Sequence, residues 1–399
     1  MIVRARLDLS WPDFAFAATS CLLPGRCDEL EDRVRRAFPD GDEALVCLAV
    51  RSGFDALLGA LDLPAGSEVL LSAVTIPDMP RIVRAHGLVP VPVDVDPESL
   101  APDLDALGRA TSPRSRVLVV AHLFGAVSEL GPARAFARTH GLLFVEDCAQ
   151  SYIPGRFRGS PESDVRMLSF GPIKTDTGMG GAVLFVRDAS LRARMAELQR
   201  ALPVQSRRAY GRRLLKYAVL QALAAPPIFA LFRAGCRLAG EDFDAVLRQA
   251  ARGFPGDLLR RIRRRPGAPL LALLARRLER PNTRVPARAR AGEELARALA
   301  GVVPRPGTAL TDHTHWVFPV LAGEPEALMA HLRARGFDAT SGTTSLTAVG
   351  TPAERPDVAA PRASALIARI LFVPAYPEVP PAAQTRLAEA LREWFATHP

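Results

Sequence analysis

Lysine is nearly missing from this chain of 399 residues: of its 51 basic residues only Lys174 and Lys216 are lysines, and the other 49 are arginines. Arginine therefore supplies the positive charge, and a lysine kept in a glycine-rich turn, SFGPIKTDTGMGG over residues 169–181, calls for a chemical reason. Aromatic residues make up only 6% of the chain and no nucleic-acid module is recognisable, so base recognition is not expected. The five cysteines, Cys21, Cys27, Cys47, Cys148 and Cys236, are odd in number and match neither a CxxC pair nor a zinc spacing. They read as free or buried thiols in a reducing compartment. The opening MIVRARLDLSWPDFAFAATS lacks an uninterrupted apolar core ahead of a cleavage site, so no secretory signal is read and a cytoplasmic setting is expected. The apolar run from Tyr217 to Phe232 is 16 residues long and broken by Gln221 and Pro226-Pro227, too short for a bilayer span.

What is present is a globular composition, 48% apolar and 23% charged, with 35 prolines and no repeat or low-complexity tract. The length exceeds what one core usually fills, which implies one large and one smaller domain. From residue 44, short apolar runs alternate with amphipathic stretches. ALVCLAV precedes SGFDALLGALDL, SEVLLSAV precedes PDMPRIVRAHG, LVPVPVDVD precedes PESLAPDLDALGRA, and RSRVLVVAHLFG precedes LGPARAFARTHG, ahead of LLFVEDCAQ, VRMLSF and GGAVLFVRD. This alternation predicts an α/β fold with a mostly parallel sheet flanked by helices. Such sheets bind ligands beyond the carboxyl ends of their strands. Helical text follows, and HWVFPVLAG, PEALMAHLRARG, RILFVPAYP and PPAAQTRLAEALREWFATH close the chain as a second α/β pattern. The predicted division is a large domain over residues 1–200, a basic helical insertion over 201–290 and a small C-terminal domain over 291–399.

Polar residues at the predicted strand ends suit one cofactor. LLFVED ends in Asp147, VRMLSF carries Ser169, and Lys174 follows five residues later. Lysine offers an amine that can lose its proton and condense with an aldehyde, whereas arginine stays protonated and delocalised. Pyridoxal 5'-phosphate needs such a lysine for its Schiff base, a carboxylate to keep its pyridine nitrogen protonated, and donors for its phosphate. Asp147 is the candidate carboxylate and Ser169 a candidate phosphate donor. The SGF of VRSGFDALLGAL opens a predicted helix, so Ser52, Gly53 and Phe54 form a candidate second phosphate wall through free amides and the helix dipole. Singly, each of these residues also reads as a cap, a turn or a solvated charge; their joint order points to a site. His122, in VVAHLFG, stands at another strand end, either near the cofactor or as a structural hydrogen-bond partner. His313 and His315, in DHTHWVF, have no third ligand evident, so no metal site is expected.

These motifs together resemble the fold-type-I pyridoxal phosphate enzymes, and specifically the sugar aminotransferases of the DegT/StrS type. The likeness runs through SGFDAL, SEVLLSAVTIP, VPVDVD, VVAHLFG, HGLLFVEDCAQS, RGSPESDVRMLSFGPIK and GMGGAVLFVRD, in the family's order, and the EDCAQS and SFGPIK pair is its most specific part. The resemblance implies a Schiff-base lysine at Lys174, a pyridinium partner at Asp147, phosphate ligands at Ser169 and Ser52-Gly53, and Gln150 near the cofactor ring and its phenolic oxygen. It also implies ping-pong transfer of an amino group from a donor such as glutamate to a carbonyl acceptor such as a keto sugar, in a homodimer. The sequence departs from the family in three places. Ile76, in VTIPDM, stands where a stacking aromatic is usual. An asparagine-bearing GYNYR-like motif is not found in residues 190–290, and SGTTSLTAVGTP lacks the usual His-Tyr pattern.

Residues 200–290 hold 21 basic and 5 acidic residues, so the net charge of +9 is concentrated there. Arginine clusters beside apolar helical text, over 206–270, fit either a helical elaboration of the fold, with arginines reaching solvent, or contact with an anionic membrane surface. In the latter case the carbonyl acceptor could be lipid-borne. A non-catalytic cofactor-binding protein and a pyridoxal phosphate-dependent dehydratase are the alternatives to a transaminase.

Overall fold

The computed structural model describes residues 1–241 and 257–398. Its main sheet has seven strands: β1 (Ala44–Cys47), β2 (Glu68–Ser72), β4 (Val89–Val93), β5 (Ser115–Ala121), β6 (Leu143–Asp147), β7 (Val165–Ser169) and β8 (Ala182–Val186). Their spatial order is β1-β8-β7-β6-β5-β2-β4. The five strands from β7 to β4 run parallel, and β8 is antiparallel to both β7 and β1. The strands are buried along nearly their whole length because side chains alternate between two covered faces. Val69, Leu71, Val117, Val119 and Val145 meet the helices Val50–Leu61, Asp78–Ala85 and Ala189–Arg200. Leu70, Val91, Leu118, Val120 and Phe144 face Leu104–Ala110 and Gly131–Thr139. The helix after β2 thus lies on one face and the helix after β5 on the other. In open sheets of this kind, ligands bind beyond the carboxyl ends of the strands where chain direction reverses.

A second sheet, in the order β10 (Thr340–Ser341), β12 (Ile370–Val373), β9 (Phe318–Leu321), is antiparallel throughout. It shares a core with Pro325–Ala334, Pro381–Thr397 and Arg284–Leu299. The first residues of the chain join this body: Ile2 bridges to Phe337, and Arg4 pairs with Asp338 at 2.7 Å. β11 (Thr347–Ala348), within SGTTSLTAVG, crosses back to pair with β3 (Val74–Thr75), just before Ile76.

Of the segment read as an insertion over 201–290, residues 242–256 lie outside the described residues. Helix Arg207–Leu223 lies against Trp11–Leu22, and Ala268–Leu278 packs between that helix and Cys27–Arg36. Leu258 and Ile262 belong to the core of the main sheet, whereas Phe229 enters the core of the small domain. The segment is therefore distributed over both cores rather than appended to them. The reason is visible in APLLALLARRL, which is apolar around most of its circumference and must be enclosed.

Candidate active site

Period-two alternation at the end of β6 separates two adjacent carboxylates. Glu146 points into a structural network, accepting from His122 Nε2 at 2.9 Å, the Ser163 hydroxyl at 2.5 Å and the Ser160 amide at 2.8 Å. Because His122 Nδ1 accepts from the Ser128 amide at 3.0 Å, Nε2 carries the proton donated to Glu146. His122, Glu146 and Cys148 place their polar atoms within 4.8 Å of one another, yet both ring nitrogens are engaged in these hydrogen bonds. Asp147 takes the other side of the strand and accepts from the Ala149 amide at 2.9 Å.

Lys174 faces that carboxylate from the turn after β7. This turn is tied back by Thr177 Oγ1, which donates to the Gly171 carbonyl at 2.7 Å, and by the Gly178 and Gly180 amides, which donate to the Phe170 carbonyl at 3.1 Å. Gly180 and Gly181 have φ of 152° and 95°, and an added Cβ would stand 2.8 Å from Leu270 and 2.9 Å from Leu274, respectively. Glycine is required there both for conformation and for close approach of Ala268–Leu278. Lys174 and Asp147 each keep part of their surface exposed while protein surrounds them closely enough to desolvate both. Burial pulls the Lys174 amine from 10.5 down to about 7, opposed by Asp147 and assisted by Arg51. Burial lifts the Asp147 carboxyl above its ordinary range, opposed by the Ala149 amide and by Lys174.

Of the predicted phosphate wall, only part remains. The Phe54 side chain is fully buried in the main core. Gly53 lets the helix Val50–Leu61 approach Leu184, since a Cβ there would overlap that side chain. The amides of Ser52 and Gly53 both donate to the Ala49 carbonyl, at 3.0 and 3.1 Å. What is left is Ser52 Oγ, buried and without a hydrogen-bond partner. Ser169 lies half-buried at the end of β7, its Oγ 3.7 Å from where a Cβ on Gly171 would stand. Gln150 Oε1 accepts from the Phe124 amide at 2.9 Å, which leaves its NH2 group as a donor. Ile76 is half-buried between two core clusters.

Several side chains at the site come from distant parts of the chain and were not singled out from sequence. Trp316 covers Lys174, with Nζ 3.8 Å from the ring centroid, and its indole N–H donates to the Ile173 carbonyl at 2.8 Å. The buried Arg288 donates to Thr175 Oγ1 at 3.2 Å and to the Thr314 carbonyl at 3.1 Å, joining the lysine turn to the segment that carries Trp316. Arg51 pairs with Asp78 at 3.1 Å. Arg213, from Arg207–Leu223, donates to the Met179 carbonyl at 3.1 Å, and burial pushes its guanidinium below its usual value. Arg51 and Arg213 interact unfavourably, as do Arg51 and Lys174. Arg51 thus lies close enough to both Lys174 and Arg213 to feel their charge, and the residue after it, Ser52, carries the unpartnered buried hydroxyl, a combination that suits an anion.

Asn282, in PNTR, is an asparagine within the 190–290 window, without flanking tyrosines. Its Nδ2 donates to Asp176 Oδ1 at 2.5 Å and to Asp8 Oδ2 at 3.1 Å, bracing the lysine turn from below. His313 and His315 stack with centroids 4.0 Å apart, and burial lowers them to about 2 and about 4, so they stay neutral under ordinary conditions.

A lysine with a depressed pKa, a buried carboxylate across from it and a cationic recess with an orphaned hydroxyl fit the aldehyde, ring nitrogen and phosphate of pyridoxal phosphate, respectively. Residues 28–216 match the model of the DegT/DnrJ/EryC1/StrS aminotransferase family. An L-glutamine:2-deoxy-scyllo-inosose aminotransferase of Micromonospora echinospora is 35% identical over 181 residues, covering 42% of this chain and 41% of that protein. A UDP-N-acetyl-3-dehydro-alpha-D-glucosamine 3-aminotransferase of Acidithiobacillus ferrooxidans is 34% identical over 155 residues, covering 37% of this chain and 42% of that protein. The chain thus spans about two fifths of the length of these relatives. Among solved structures, the aminotransferase TlmJ from Streptoalloteichus hindustanus superposes with a TM-score of 0.73 at 18% identity, covering 100% of this chain and 99% of that one. NtdA from Bacillus subtilis, solved with bound PMP, gives 0.71 at 16% identity, covering 97% and 83%. Such distant likenesses speak for the fold alone. Residues 28–216, which contain every strand of the main sheet and Lys174, are thus the part of the chain that is similar to the DegT/DnrJ/EryC1/StrS aminotransferase family.

Proposed function

We propose that the chain is a pyridoxal phosphate-dependent aminotransferase, passing an amino group from an amino acid donor to a ring ketone of a sugar or cyclitol. The observation that carries this reading is Lys174, an amine held near neutrality opposite a buried carboxylate. Bound pyridoxal phosphate supplies an aldehyde and an electron-withdrawing ring. With a pKa of about 7, Nζ of Lys174 can both take and return a proton at the reacting carbon under neutral conditions. Asp147 holds negative charge where the ring nitrogen would sit, and the Gln150 NH2 group can donate to a ring oxygen. Ser52 Oγ, Ser169 Oγ and Arg213 are the groups we assign to the phosphate. Trp316 shields the amine from water on its outer side.

One relative's name carries L-glutamine and 2-deoxy-scyllo-inosose, and another's carries a 3-dehydro nucleotide sugar with no donor named. Donors of the glutamine and glutamate class and a polyhydroxylated keto acceptor are therefore our assignment. The hydroxyl-bearing SGTTSLTAVG segment, docked through β11 beside the loop of Ile76, supports such an acceptor. A two-fold homodimer belongs to the same reading, by analogy of fold.

The test is a donor half-reaction on the loaded protein. L-glutamine or L-glutamate is expected to shift the cofactor band, between about 330 and 420 nm, with release of one 2-oxo acid per site. Colour without a shift for any amino acid would overturn the enzyme reading in favour of a binding protein. The phosphate assignment has its own readout. Arg213→Gln is expected to weaken pyridoxal phosphate binding by about 10- to 100-fold, while affinity for pyridoxal, which lacks the phosphate, stays unchanged.

A further inference from the structure

We propose that the consecutive helices Arg207–Leu223 and Pro226–Leu238 form a docking surface for an anionic phospholipid bilayer. From residue 201 to residue 240 the chain contains six arginines and Lys216 but no acidic residue. On the first helix the exposed residues Arg208, Arg212, Leu215 and Val219 recur at spacings of four and three, so they form one stripe. Its other side is anchored by buried Tyr210 and Leu214. On the second helix Ile228, Leu231 and Leu238 are 45%, 75% and 90% exposed, while Phe229 and Phe232 on the adjoining side pack into the small-domain core. Leu22 and Leu23, 82% and 62% exposed, extend the apolar surface, and Arg207 donates to the Leu23 carbonyl at 2.6 Å.

Water gains nothing from this arrangement, since large apolar side chains are left bare along elements whose inner faces are already satisfied. A headgroup layer answers both halves of it. Leucines and isoleucine enter the acyl boundary, and arginines pair with lipid phosphates. A second copy of the chain fits less well, because an isologous contact would set this acid-free surface against itself. No single helix among the described residues is long and apolar enough to cross a bilayer, and the two helices are bent by 96° at their junction. The geometry therefore suits lying at the surface.

The test is co-sedimentation of the full chain with vesicles of phosphatidylglycerol mixed into phosphatidylcholine, against vesicles of phosphatidylcholine alone. The wild type is expected to bind the anionic vesicles and release from them as salt rises. Leu231→Glu with Leu238→Glu, and separately Arg208→Glu with Arg212→Glu, are expected to lower the partition coefficient by about tenfold or more. All four positions are exposed, so cofactor affinity and near-ultraviolet dichroism should be unchanged and serve as fold controls. Equal binding of the wild type to both vesicle types would overturn the proposal. So would full vesicle binding by both variants; if their oligomeric state falls at the same time, the surface belongs to a second copy.

Discussion

Replacing Lys174 by alanine is expected to lower transamination by about four orders of magnitude or more, because the amine is both the point of attachment and the proton carrier. Reduction of the wild type with borohydride should leave the cofactor on the tryptic peptide 167–187, uncut at Lys174. The Lys174→Ala protein should show no such peptide, while still binding the cofactor through its phosphate. The same residue has a signature that needs no turnover. Its amine moves from 10.5 in the unfolded chain to about 7 in the fold. Between these values the unfolded state holds a proton that the native state lacks, so the cofactor-free protein gains stability as pH rises through that window. Below about pH 7 both states are protonated and the penalty of burying the ammonium is fully present. In Lys174→Met this part of the pH dependence should vanish. Measuring stability by denaturant midpoint from pH 6 to 10 in both proteins isolates it from other titrating groups. Identical slopes would refute the burial argument, and a wild-type rate in Lys174→Ala would refute the mechanism.

Asp147→Asn should lower kcat by about 10²- to 10³-fold, the range expected when one preorganised electrostatic partner is lost. Asparagine preserves the shape and the contact with the Ala149 amide, so the fold and cofactor binding are expected to survive. What disappears is the negative charge that stabilises a protonated ring nitrogen. That charge also opposes the depression of the Lys174 pKa. A spectroscopic titration of Asp147→Asn should therefore find the lysine at a lower pKa than in the wild type. Glu146→Gln makes the contrast. Glu146 binds His122, Ser160 and Ser163 on the far side of β6, so its replacement should cost stability without reaching the lysine directly. An unchanged kcat in Asp147→Asn would remove the carboxylate from the chemistry.

Much of the site could be read from the chain because it is built at strand ends. Asp147 closes β6, Ser169 closes β7, and the turn that carries Lys174 begins at once, so local pattern fixes their order and their side of the sheet. The helix opening at Ser52 was legible for the same reason. What it does was less so: Gly53 and Phe54 read as phosphate contacts, yet one makes room for Leu184 and the other fills the core. A motif can show that a backbone is close to something without showing what. Asn282 went unread because a contact with Asp8 and Asp176 spans 274 and 106 residues, respectively, and leaves no periodicity behind.

The sequence by itself determined the alternating α/β architecture, the lysine and carboxylate at adjacent strand ends, and the concentration of positive charge after residue 200, since each follows from short-range pattern or from counting. Only the tertiary structure decided that Trp316 stands over the lysine, that Arg213 and Arg288 bond to its turn, and that Ala268–Leu278 clamps that turn. Packing brings these groups together across 40 to 140 residues of chain, roughly speaking, and desolvation then sets their protonation, which no local pattern can specify.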